Sequence, residues 1–103
     1  MTIHDIGYML AGIAKPWEKD PEVFIKSYWD WNTEYWLSMY FSPMDEIEED
    51  SIIYYRKVYC SYTLTSLNHG PIKERRGILT SLEDFESFIK EVRAIKKGYI
   101  SID

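Results

Sequence analysis

From Ile52 onward the chain alternates. Ile52, Tyr54, Arg56, Val58, Cys60, Tyr62 and Leu64 stand on even positions, and Tyr55, Lys57, Tyr59, Ser61, Thr63 and Thr65 on odd ones. Period 2 with β-branched and aromatic enrichment predicts one long strand over 52–67, even face inward, leaving Tyr55 and Tyr59 outward. Asn68-His69-Gly70-Pro71 predicts a turn, and 72–80 an antiparallel return. Upstream, 33–41 puts Tyr35, Leu37, Met39 and Phe41 on one face and Glu34, Trp36, Ser38 and Tyr40 on the other, with Ser42-Pro43 ending that strand.

The last third changes period. Ser81-Leu82-Glu83-Asp84 is a capping box with a short acid, and Leu82, Phe85, Phe88, Ile89, Val92 and Ile95 follow at helical spacing. A helix over 82–97 is expected, with acids in its first turn, bases in its last and Gly98 as its left-handed end. A short strand over 99–102 would close the chain. At the start, Thr2 can cap and Ile3, Ile6, Leu10 and Ile13 form an apolar stripe that Pro16 stops. Asp20-Pro21-Glu22 is a helix-start signature and predicts a second helix over 21–31. That helix would turn Phe24, Tyr28 and Trp31 to the core and Trp29 outward, since Trp29 and Trp31 would lie about 200° apart. The expected architecture is α+β, an antiparallel β-meander with helices packed mainly on one face, in the order α-α-β-β-β-α-β. At 103 residues one domain, 1–103, is expected.

Charge changes this picture by being uneven. The chain carries −5, but 15–50 alone carries −7: ten acids (Glu18, Asp20, Glu22, Asp30, Glu34, Asp45, Glu46, Glu48, Glu49, Asp50) against Lys15, Lys19 and Lys26. The same stretch holds nine of the seventeen aromatic residues, including all four tryptophans. Residues 51–77 carry +4, with Lys73-Glu74-Arg75-Arg76 as the basic cluster, read as a solvated strand edge or an internal partner for the acids, with a phosphate or RNA contact as the minority reading. An acidic half repels phosphate backbones, which disfavours nucleic acid as a partner. Cys60 is the one cysteine, so no internal disulfide forms and a reducing cytoplasm is the expected compartment. The apolar stretch 6–14 is too short to span a bilayer and lacks a basic leader, so no membrane role is expected.

Chemistry for turnover is sparse. His4 and His69 are the two histidines, and a Cys60–His69 pair is the one nucleophile–base combination on offer. No Cys-x-x-Cys, His-x-x-x-His, calcium-loop or glycine-rich phosphate spacing occurs, so no catalytic residue, metal or cofactor is assigned and the chain is not read as an enzyme. Rings supply contact area and carboxylates supply steering, the combination that grips a basic partner. The candidate partner-binding residues are Trp29, Asp30, Glu34, Trp36, Asp45, Glu46, Glu48, Glu49, Asp50, Tyr55 and Tyr59.

In size, in the Trp29-Asp30-Trp31 and Glu34-Tyr35-Trp36 clusters, in the Asp45–Asp50 acidic run and in the final helix followed by Gly98, the chain resembles the small acidic immunity proteins of bacterial toxin systems, including those paired with contact-dependent growth-inhibition toxins. The resemblance implies a cytoplasmic protein that binds a cognate toxin domain, often a basic nuclease, and blocks its active site or a surface nearby. A small acidic secretion chaperone or adaptor is the alternative, and a small enzyme a further one. Monomer and homodimer both stay open.

Overall fold

A computed structural model of the chain describes residues 1–11 and 24–100. Its elements are α1 (Ile3–Ala11), β1 (Phe24–Asp30), β2 (Tyr35–Glu49), β3 (Ile52–Ser66), β4 (Gly70–Leu79) and α2 (Leu82–Tyr99). The four strands form one antiparallel meander in the order β1-β2-β3-β4. The α+β class and the meander stand as expected. The element order does not, because the expected second helix is strand β1.

That correction has a physical basis. Phe24–Asp30 pairs along its whole length with Phe41–Tyr35, so seven residues gain a ladder partner. With Trp29 on the strand and Trp31 in the turn that follows, the two rings stack on the same side, where a helix would have splayed them. The Asp20-Pro21-Glu22 signature lies outside the described residues, as do residues 101 and 102 of the expected closing strand.

The core follows the alternation. Leu37, Met39 and Phe41 of β2 and Val58, Cys60, Tyr62 and Leu64 of β3 are buried on one sheet face. Phe85, Phe88, Ile89, Val92 and Ile95 of α2 cover them, with Ile6 of α1 in the same cluster. Phe41 meets Phe85 and Phe88 edge to face at 5.8 and 5.6 Å, the arrangement favoured by the ring quadrupoles. Both helix starts are capped as read: the Ser81 hydroxyl accepts from the Asp84 N–H at 3.1 Å, while Thr2 and Asp5 exchange two backbone-to-side-chain bonds at 2.9 and 3.2 Å. The bond from the Thr2 N–H holds the Asp5 carboxyl below the usual carboxylate range.

Three boundaries differ from expectation. Helix α2 runs through Gly98 to Tyr99, so Gly98 is not its left-handed end and Tyr99 does not start a strand. Tertiary contacts explain the extension: the Tyr99 ring meets Tyr35 edge-on at 5.0 Å, and its carbonyl accepts from the Thr33 hydroxyl at 2.8 Å. Strand β2 runs past Pro43, which pairs with Val58 where β2 has one described neighbour and a proline costs a sheet least. The acidic run is therefore not a connecting loop. Asp45–Glu49 is strand, and the reversal is the two-residue turn Asp50-Ser51, both at positive φ (50° and 65°), as a tight hairpin of this type requires.

Candidate acidic and aromatic surfaces

β2 and β3 are each fifteen residues long, and their neighbours are shorter. The described part of β1 reaches Phe41, and β4 ends opposite Val58. From Met44–Lys57 to the turn the described residues leave a two-stranded arm, six residues per strand or roughly 20 Å at the usual rise. Asp45, at φ 59°, is skipped by the ladder between Met44↔Lys57 and Glu46↔Tyr55. The alternation breaks there, and on the arm it is Tyr55 that turns inward.

The arm carries Asp45, Glu46, Glu48, Glu49 and Asp50, all exposed, against Arg56 and Lys57. Met44, Ile52, Ile53 and Tyr54 are exposed beside them. Its root is tied to the chain start: the Tyr55 N–H donates to the Met1 carbonyl at 2.7 Å, the Met1 amine donates to the Tyr55 carbonyl at 3.1 Å, and Thr2 bridges to Tyr54. Between root and helix lies an open groove of about 630 Å³ bordered by Met1, Ile47, Tyr54, Arg56 and Leu82. Tyr55 itself is 4% exposed, with its hydroxyl 3.4 Å from Glu46 Oε1, so its assignment as an outward binding residue is overturned by the N-terminal segment folding over it.

Trp29, Trp31 and Trp36 sit at the other end. Trp36 and Glu46 are ten residues apart on one strand, roughly 30 Å, so a block contiguous in sequence becomes two separate surfaces. Trp29, from β1, pairs with Trp36 across the ladder on the sheet face opposite the helices. The two indoles stack at 4.6 Å and 8°, and Trp31, in the turn after β1, stacks on Trp29 at 5.7 Å and 19°. Trp31 is 76% exposed and Trp29 39%. The expected assignment is thus half right: Trp29 is outward, but Trp31 is outward as well and is the most open of the three. The spacing of two was the signal for it, and the helical reading concealed it. Further along the same face Tyr59, outward as expected, meets Tyr40 at 5.7 Å.

Asp30 is a correction of another kind. At 1% exposure its carboxylate accepts from the backbone N–H groups of Asn32 (2.9 Å) and Thr33 (3.3 Å), and its carbonyl accepts from Glu34 at 2.8 Å. It builds the turn that presents Trp31 and offers no surface to a partner. Glu34 is exposed, takes φ 60°, accepts from the Asn68 amide, and its carbonyl accepts from the Leu67 N–H at 2.9 Å. It ties the β1–β2 turn to the β3–β4 turn.

The basic cluster does not serve the acidic block. Arg75 pairs with Glu91 of α2, which also accepts from the Tyr62 hydroxyl at 2.6 Å, and its guanidinium lies 5.4 Å over Phe88. Arg76 pairs with Glu74 at 3.0 Å. Cys60 and His69 are not brought together: Cys60 is buried with its thiol donating to the Gly77 carbonyl at 3.5 Å, and His69 is exposed in a turn at the sheet's end. Burial pushes the Cys60 thiol up to about 11, away from nucleophilic use, although Arg75 pulls the other way. Among the described residues no three His, Cys, Asp or Glu side chains are grouped to hold a metal ion, and no helix is long and apolar enough to cross a membrane.

No family model, no curated protein and no solved structure matches the chain.

Proposed function

We propose that the chain is a binding protein that neutralises a basic protein partner, an immunity-type inhibitor of a toxin domain, with the hairpin arm as its leading contact. One observation carries this reading. Five carboxylates are held on an ordered ribbon beside exposed Met44, Ile52, Ile53 and Tyr54, where a solvated loop would carry charge alone. Carboxylates at that density attract a positive cleft over a Debye length of roughly 10 Å at 0.1 M salt, and apolar side chains between them slow release once the contact is dry. A nuclease cleft that binds phosphates fits such an arm, because carboxylates can occupy phosphate positions. The cytoplasmic location rests on the lone thiol Cys60.

The test is affinity capture with the full chain, followed by binding kinetics on the captured protein. The expected partner is basic, and affinity falls as salt rises. Replacing Asp45, Glu46, Glu48, Glu49 and Asp50 by their amides slows association more than it speeds dissociation, since peripheral charges act on encounter. An acidic partner, or an affinity indifferent to salt and to all five replacements, refutes the proposal.

A further inference from the structure

The chain places its own cations over rings on the helix side of the sheet: Lys96 lies 4.4 Å over Tyr28, Lys73 5.4 Å over Tyr99 and Arg75 5.4 Å over Phe88. On the opposite face lies the stack Trp31–Trp29–Trp36, and among the described side chains no cation lies over any of the three. The arginine on that face, Arg76, is already paired with Glu74. From this contrast we infer that the tryptophan stack is a seat for an arginine side chain on a protein partner, with Trp31 as the ring it covers.

Three features make the seat specific. The indoles are near-parallel, so the stack ends in one flat face of negative π-density, the complement of a planar guanidinium more than of a compact ammonium. The turn is preorganised, because two N–H groups bonded to the buried Asp30 carboxylate hold Trp31 in place before anything binds. Glu34 adds an exposed carboxylate to the same turn, and the chain's net −5 favours a cationic visitor over a second copy of itself. The inference rests on the reading of a basic partner, but it concerns a surface at the other end of the molecule and can be tested separately.

The probe is a capped Gly-Arg-Gly-Arg-Gly peptide titrated into the full chain at fixed ionic strength, beside the same peptide with citrulline in place of arginine, following the indole N–H signals by NMR. The arginine peptide is expected to shift the Trp31 and Trp29 signals saturably and the citrulline peptide to leave them in place. Trp31→Ala weakens peptide binding about two- to fivefold, the size of one exposed cation–π contact, with the circular dichroism unchanged. Trp31→Tyr, which keeps a ring, retains most of it. The arm variant with five amides keeps the Trp31 shifts if the indoles are the seat; their loss there would overturn the inference. So would equal responses to arginine and citrulline, or binding indifferent to Trp31→Ala. Concentration-dependent dimerisation abolished by Trp31→Ala would assign the face to a second copy and overturn it too. Arm variants that still capture the partner at full rate refute the proposed function without touching this seat.

Discussion

Truncating Phe88 to alanine should remove a large part of the chain's stability. The side chain is fully buried in α2, with Phe41 at 5.6 Å, Tyr62 at 5.8 Å and the Arg75 guanidinium at 5.4 Å. Deleting a buried phenylalanine ring costs about 3–5 kcal/mol, from lost transfer energy and the cavity that remains. Alanine is the better helix former by about 0.5 kcal/mol, which works in the opposite direction and is too small to reverse the sign. A net loss of about 2.5 kcal/mol or more is expected. Set against a total of roughly 5–15 kcal/mol for a domain, it would lower the melting temperature by roughly 10 °C or more. Urea unfolding followed by circular dichroism measures it, with Ser87→Ala, an exposed neighbour on the same helix, expected within about 0.5 kcal/mol of the parent. A Phe88→Ala loss below about 1 kcal/mol, with an unchanged denaturant slope, would show that α2 does not dock on the sheet through this ring.

Ser51→Gly should stabilise the chain by about 0.5–1 kcal/mol, because Ser51 holds φ 65° in a turn where glycine adopts that backbone without steric cost; urea midpoints check it, and a destabilised variant would mean that the turn has another geometry. The Cys60 thiol should react with a disulfide reagent at pH 8 only at the rate of unfolding, since it is buried and titrates near 11. Because that folded value lies above the ordinary 9.0, the stability linked to the neutral thiol is complete below about pH 9 and is lost as pH rises towards 11; fast native-state labelling at pH 8 would contradict the burial.

Where local pattern and global packing asked for the same thing, the element was legible. Helix α2 declared itself through its cap and its 3.6-residue stripe, and the core half of β3 through its even-position alternation, because each segment's apolar period already matches the face it buries. The stretch 24–30 was short enough to suit either period, and pairing with β2 decided it as strand. Gly98 is a local stop that the contacts of Tyr99 override. The acidic run could be counted from sequence, but whether its five carboxylates sat in a loop or on a ribbon depended on β2 continuing past Pro43, a long-range pairing. In the same way, composition established that acids and tryptophans share one stretch of chain, and tertiary structure put the Asp45–Asp50 carboxylates and the indoles of Trp29, Trp31 and Trp36 at opposite ends of the sheet. A strand rises about 3.4 Å per residue, so neighbours in sequence become distant in space whenever the chain runs straight. The stacking of Trp31, Trp29 and Trp36 likewise required two strands and a turn held by a buried aspartate, a convergence of positions that no single local pattern encodes.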